Sequence, residues 1–302
     1  MFYTHEDVVR LSQRFRRMPC EVSEELRGWR WNEYPLAPVY PFKLSVSDIA
    51  GGFCETGRDV YVRYVLRERG RPSDRVEMGG FIHRVVSEAL RTVKSIIYSR
   101  GLVSGEELRA EMAERGHRVL RELIGGAPPK LALNAFNALW SRAINTYASA
   151  LDRVRSKSQY LSIDGAVALV APALAEYPID GSLIGLTGSI RVDELLPPSI
   201  IVEVKTRGLK PVYDIGLAAY ALAFESQYEI PVNYALLVSL KFNRDYSDLL
   251  VYEKPVLISD QLRQSFIDRR DQLAKMVEEG VDPGMPERCD PDCPYLHVCR
   301  GG

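Results

Sequence analysis

No segment of this 302-residue chain is apolar for long enough to cross a bilayer. The longest apolar run, Ala166–Ala175, is interrupted by Pro172 and falls far short of the roughly 20 residues that a spanning helix requires. The amino end reads Met-Phe-Tyr-Thr-His-Glu-Asp, acidic where a secretory leader is basic and then apolar. A cytoplasmic location with no membrane partner is therefore expected. An excess of one charge is missing too. There are 39 Lys and Arg against 40 Asp and Glu, a net charge of −1, so the chain as a whole lacks the basic footprint of a typical nucleic-acid binder. Internal repeats and low-complexity tracts are absent from the sequence. With 46% hydrophobic and 26% charged residues, the composition excludes a disordered tail, a collagen-like fibre and a coiled-coil rod. What remains is a globular protein with ample chain to bury a core, as one large domain or two small ones.

The even charge balance hides a local asymmetry. From Arg58 to Arg100 ten Lys and Arg stand against five acids, which reads as a solvated helix face unless a phosphodiester site lies beside it. The first half of the chain is helical in pattern. Thr4 can cap a helix through Val8 and Leu11, and Ser45 or Ser47 can open another that carries Ile49, Cys54 and the Tyr61–Leu66 run. From Gly79 to about Ser99 apolar residues recur at helical spacing until Gly101 supplies a stop. Ser104–Leu123 and Leu131–Val154 continue the series, separated by Gly-Gly-Ala-Pro-Pro. After about residue 160 the texture changes. Ala173–Ile179, Leu186–Leu195, Ile200–Lys205, Asn233–Leu240 and Leu249–Tyr252 read as strands, with a helix at Val212–Glu225 and another near Asp260–Glu279. The pattern predicts an α/β core wrapped by helices at both ends. Its segments are an amino-terminal helical region over 1–75, a second helical region over 76–160, a core over 161–256 and a tail over 257–302, expected to form one compact unit.

Two constellations carry chemistry. Cys289, Cys293 and Cys299 form C-x3-C-x5-C, and three cysteines within eleven residues of a cytoplasmic protein point to metal rather than disulfides. Thiolate donors suit zinc or an iron–sulfur cluster, and each normally takes four ligands. His297 could complete a zinc site, and Cys54 or Cys20 an iron–sulfur site. The second constellation is Glu203-Val204-Lys205, whose charged residues share one face of a strand. Asp193 and Glu203 are equidistant from residue 198, so an antiparallel hairpin turning there sets their carboxylates side by side. Such carboxylates repel unless a cation lies between them. A divalent metal with Lys205 beside it suits phosphodiester hydrolysis, while a cross-strand salt bridge on an exposed sheet face is the plainer alternative. His83, on the helix opened by Gly79-Gly80, could add a nitrogen ligand that favours Mn2+ over Mg2+.

Gly79-x-x-x-His83 on a helix, then the Asp193 strand, Glu203-x-Lys205 and a helix carrying Tyr220 together resemble the RecB-type branch of the PD-(D/E)XK nucleases. Cys54 with the carboxyl-terminal triplet is similar to the iron–sulfur nucleases of that branch. Ser47-Asp-Ile-Ala, Cys54-Glu-Thr and Cys293-Pro-Tyr-Leu-His-Val-Cys299 look most like CRISPR-associated family four, in its archaeal adaptation-module variant. The resemblance spans roughly Ser45 to Cys299. It implies a restriction-endonuclease-like mixed sheet with flanking helical segments and a cluster region. It also implies a cluster, usually [4Fe–4S], on Cys54, Cys289, Cys293 and Cys299. Mn2+ or Mg2+ would sit on His83, Asp193, Glu203 and the backbone carbonyl of Val204, with Lys205 assisting the attacking water and Tyr220 positioning substrate. The implied role is a DNA exonuclease, often on single strands, that helps prepare spacers with the CRISPR integrase proteins.

Two departures from that pattern stand out. The family often places its aspartate three residues after a strand glycine, but Gly188 is followed at that spacing by Arg191, leaving Asp193 two residues later and Asp180 as an alternative. Gly216 stands where a glutamine usually precedes Tyr220. Both departures leave open a non-catalytic DNA-binding adaptor as the second reading. Cys20 fits no motif and is expected to be an ordinary buried thiol.

Overall fold

The structure, a computed structural model, describes residues 1–157 and 160–300. Its helices and strands follow in the order α1 (His5–Phe15), α2 (Val46–Ala50), α3 (Arg58–Tyr64), α4 (Asp74–Arg100), α5 (Gly105–Leu123), α6 (Pro129–Lys157), α7 (Ile163–Val170), β1 (Leu174–Ile179), β2 (Ile190–Leu196), β3 (Ile200–Lys205), α8 (Val212–Tyr228), β4 (Tyr234–Phe242), β5 (Leu249–Leu257), α9 (Asp260–Glu279) and α10 (Leu296–Arg300). The helix starts are chemically marked. Thr4, Ser45 and Ser104 each accept from the backbone N–H three residues on while an acidic side chain at that position reaches back, a reciprocal capping box. Ser73 caps α4 and Gly101 ends it with a φ of +76°, a conformation glycine adopts without steric cost.

The strands form one five-stranded sheet in the order β1-β2-β3-β4-β5. β3 and β4 run parallel through the α8 crossover, and the other neighbours are antiparallel. One face packs against α1 and α4–α7 through residues such as Val202, Val204, Leu236 and Val238. The other, through Ile201, Ala235 and Leu237, packs against α8, α9 and the amino-side segment around Leu26–Ile49. The α/β core wrapped by helices that the sequence pattern predicts is thus a mixed five-stranded sheet with helices on both faces. No helix among the described residues is long and apolar enough to cross a membrane.

Three elements differ from expectation. The single helix opening at Ser45 is two, because Gly51 and Gly52 intervene and Gly52 takes a φ of +68°; Cys54 therefore lies on the connection and not on a helix. The apolar run is helical as far as Val170, within α7, which is capped by Ser162 and buries Ala166, Val167 and Val170. The second strand starts at Ile190, since 182–184 form a short 3-10 turn and Leu186 makes only an isolated bridge to Leu44.

The amino-side segment is fastened by a fully buried ion pair. The two Glu225 oxygens accept from Arg263 Nη1 at 2.7 Å and Nη2 at 2.8 Å, and also from Gly28 N, Val232 N and Arg27 Nη1. The remaining Arg263 hydrogens go to the carbonyls of Leu26, Val232 and Ile258. Removing one partner strands a charge in the interior, which is far more costly than replacing both with apolar groups. Glu225→Ala should lower unfolding free energy by about 3–5 kcal/mol, with a smaller loss in a Glu225→Leu/Arg263→Met double variant, as read by urea denaturation.

Candidate active site and cysteine lobe

The β2–β3 ladder pairs Glu194 with Val202, Leu195 with Ile201 and Leu196 with Ile200, so the hairpin does turn about residue 198. Pairing stops one step short of Asp193 and Glu203. There the strands part, and the Asp193 side chain takes over from the ladder: Val204 N donates to its Oδ2 at 2.7 Å. The other oxygen, Oδ1, lies 2.8 Å from His83 Nδ1 on α4. The glycine of the histidine motif has a packing reason. A Cβ on Gly79 would sit 3.1 Å from Thr206 Oγ1, so its absence lets α4 approach the end of β3 and delivers His83 one turn later. On β3, Lys205 Nζ donates to Glu203 Oε1 at 2.7 Å and lies 4.9 Å from the centre of the Tyr213 ring. Glu203 is 9% exposed, and its Oε2 is buried without a hydrogen-bond partner. Tyr220, on α8, is buried close enough to feel the charges of Glu203 and Asp193, which add to burial in pushing its phenol far up.

The electrostatics split the two carboxylates. Burial raises the Glu203 carboxyl, the neighbouring Asp193 charge adds to it, and Lys205 and His83 only partly offset them, leaving it at about 7. Asp193 goes the other way: burial works against ionisation, but the His83 charge and hydrogen bond, the Val204 amide and Lys205 hold it below the usual range. Burial similarly opposes the charges on His83 and Lys205, yet Asp193 and Glu203, respectively, carry both above their ordinary values. An ionised carboxylate thus stands beside one with a free, desolvated oxygen. Among the described residues no three His, Cys, Asp or Glu side chains converge as a finished metal cage. The donor chemistry of Asp193, Glu203 and His83 nevertheless fits a divalent cation, and the unpartnered Oε2 is the oxygen such an ion would satisfy.

The departures noted in the sequence have local explanations. A Cβ on Gly216 would fall 2.9 Å from Ala50 Cβ, so α2 occupies the space that a glutamine would need. Arg191 is exposed and paired with Pro178, away from the His83 contact that Asp193 makes. Asp180, the alternative, is exposed and caps its own turn by accepting from Ser182 N, and it makes no hydrogen bond to His83 or Lys205 among the described residues.

The cysteines gather at a neighbouring lobe. Cys54 and Cys289 line a cavity of about 690 Å³ together with Phe53, Arg207, Lys210 and Arg269. Cys293 is pushed up to about 11 by burial, with the Cys54 and Cys299 sulfurs close enough to add to the shift. All four are half-buried free thiols; Arg58 Nη1 donates to Cys299 Sγ at 3.1 Å. Cys20 is elsewhere, half-buried near Arg263 and Arg27. His297 lies half-buried on α10. The tail is clamped to the loop that leaves β3: Arg207 Nη2 and Lys210 Nζ both donate to Asp290 Oδ2, at 2.5 and 2.8 Å. Asp292 accepts from Ser73 Oγ and Arg75 Nη1 at the start of α4. Arg207, Lys210, Asp290 and Asp292 escape a motif reading, although Asp-Pro-Asp inside the first cysteine interval is the local trace of the clamp. Arg58, Arg63 and Arg75 from the basic stretch are likewise spent on Asp282, Asp48 and Asp292.

The raised Glu203 has a thermodynamic signature. Between the ordinary carboxyl value of 4.5 and about 7, the folded state holds a proton that the unfolded state has released, so stability falls as pH rises through that window. In chelator-treated protein, Glu203→Gln should therefore gain stability relative to the parent at pH 8 and little at pH 4.5, as measured by denaturant unfolding at both values.

The family model described as "CRISPR-associated exonuclease Csa1" matches residues 1–302. The chain is 37% identical over 301 residues to a CRISPR-associated exonuclease Csa1 of Saccharolobus solfataricus, covering 99% of this chain and 100% of the relative. It is 31% identical over 296 residues to one of Thermoproteus tenax, covering 97% and 98%. A solved structure from Eubacterium rectale, provisionally described as an exonuclease, aligns over 90% of this chain and 92% of its own at 14% identity and a TM-score of 0.39, too loosely to carry an argument. The matches across nearly the whole length agree with the resemblance in the motifs, and the chain belongs to the CRISPR-associated exonuclease Csa1 family.

Proposed function

We propose that this protein is a Mn2+- or Mg2+-dependent deoxyribonuclease, an exonuclease acting on single-stranded DNA, with a [4Fe–4S] cluster. The observation that carries the reading is the pairing of His83 with Asp193 and of Lys205 with Glu203 at one level of the sheet, with the Glu203 Oε2 buried and bare. A bound divalent cation would acidify a water and neutralise charge building on the phosphorus. Lys205, held by Glu203 and the Tyr213 face, orients the attacking water or the phosphate oxygen. His83 fixes the Asp193 carboxylate and supplies a nitrogen donor, the Val204 carbonyl is a further donor, and Tyr220 bounds the pocket on the α8 side. A lysine held beside a buried carboxylate with one bare oxygen favours catalysis over the adaptor reading.

Cys54, Cys289, Cys293 and Cys299 would hold the cluster, whose soft sulfur donor set they match. Exposed basic residues of the 58–100 stretch that are not held by an acid among the described residues, such as Arg67, Arg69 and Arg71, would track the DNA backbone, a contact that weakens with salt. The proposed setting is spacer acquisition alongside the CRISPR integrase proteins, a role supported by the family to which the chain belongs.

Cleavage by anaerobically purified protein should require Mn2+ or Mg2+ and stop with chelator. Glu203→Ala and Lys205→Ala should each lower the rate by about 10²–10⁴-fold with circular dichroism unchanged; full activity in either would overturn the site. Cys293→Ser should lose the brown colour and iron of the parent and expose the tail to protease, whereas a colourless parent rich in zinc would replace the iron–sulfur reading.

A further inference from the structure

β5 is the outer strand of the sheet, and its side chains alternate between two surroundings. Glu253 turns to the face covered by α1 and α4–α7, where its Oε1 accepts from Tyr3 Oη at 2.7 Å. Lys254 turns to the opposite face and donates to Asp214 Oδ2 on α8 at 2.6 Å. Tyr252 and Leu250 precede Lys254 by steps of two, so they belong to the α8 face, yet they are 57% and 67% exposed. Among the described residues, Tyr252 is the one exposed aromatic side chain that a strand carries.

The ladders set that ring in line with the candidate site. Lys205 on β3 pairs with Ser239 on β4, and Ser239 pairs with Tyr252 on β5, so the three residues form one row on one face. Lys205 lies on the α8 face as well, its Nζ 4.9 Å from the centre of the Tyr213 ring. Two inter-strand steps separate Tyr252 from Lys205 by about 10 Å, with the small Ser239 between them. In the next row Leu250 pairs with Lys241, which is exposed and in no ion pair among the described residues. The acids of the adjoining turn are engaged locally: Asp245 accepts from Ser247, and Asp248 from Leu249 N.

An open aromatic ring with an aliphatic neighbour and an unpaired ammonium suits a nucleic-acid single strand, whose bases offer free faces for stacking and whose phosphates offer charge. Strand addition by a second copy fits less well, because Pro255 lies within β5 and supplies no N–H, which blunts an edge against a further strand. We propose that Tyr252, with Leu250 and Lys241 beside it, is a stacking platform that leads single-stranded DNA to Lys205. An unpaired base lies on the Tyr252 ring and a neighbouring phosphate meets Lys241. The proposal rests on the nuclease reading for its occupant and gives the preference for unpaired strands a physical basis.

The test is fluorescence anisotropy of a labelled oligothymidylate with the full chain in chelator, where the strand stays uncut, and cleavage in Mn2+ is measured separately. Tyr252→Ala should weaken binding about 10-fold, and Tyr252→Phe should keep the parental affinity. An abasic strand of the same length should bind Tyr252→Ala and the parent equally, since it has no base to stack. Lys241→Ala should weaken both strands alike and reduce the slope of log affinity against log salt by about 0.7. Parental affinity in folded Tyr252→Ala, or an equal loss on the abasic strand, would overturn the platform, and with cleavage intact it would leave the nuclease reading standing. Altered sedimentation of Tyr252→Ala with DNA affinity unchanged would assign the ring to contact between copies and overturn it too. Tyr252-dependent binding without cleavage in any divalent metal would support the platform and sink the nuclease reading instead.

Discussion

Two carboxylates that cannot both be comfortably ionised set the terms for the rest of this molecule. The Pro197-Pro198 turn brings Asp193 and Glu203 to the same level of the sheet, in a pocket where water is too scarce to screen them. The fold answers by treating them differently. Asp193 receives a histidine from one layer of helices and an amide from the parted β2–β3 ladder, while Glu203 receives a single lysine and keeps one oxygen bare. Each supporting feature serves that division: the missing side chain at Gly79 admits α4, and Tyr213 at the start of α8 lays its ring beside Lys205.

A second buried acid shows what a purely structural solution looks like. Glu225 lies deeper than Glu203, yet both its oxygens are saturated by Arg263, Arg27 and two backbone amides, and it ties distant segments together. Interiors tolerate charge when each lone pair has a partner. By that standard Glu203 stands with Glu194 and Asp214, each of which also keeps one buried oxygen without a partner; what sets Glu203 apart is the lysine that shares its strand face and the Asp193–His83 pair at the same level of the sheet.

Local chemistry made much of this legible. The capping serines, the stop at Gly101 and the period-two strands gave the order of elements, and the symmetry of the hairpin about residue 198 placed the acids opposite each other. What escaped were matters of distance and backbone. The helix opened by Ser45 ends early because Gly52 needs a left-handed turn, and the absent glutamine at Gly216 makes sense only once Ala50 is seen against it. Asp290 and Asp292 are unremarkable in sequence, because their partners lie near residues 73–75 and 207–210.

The clamp between Asp290 and the Arg207–Lys210 loop has a consequence for biogenesis. A ribosome makes this chain in one direction, so the sheet, α4 and both acids emerge well before the acidic hook that secures the loop beyond Lys205. During that interval Arg207 and Lys210 lack the partner that fixes them, and three of the four lobe thiols have not been made. Maturation is therefore ordered by translation itself: the pocket's floor is laid early, and its outer wall closes only when the later segment around Asp290 docks.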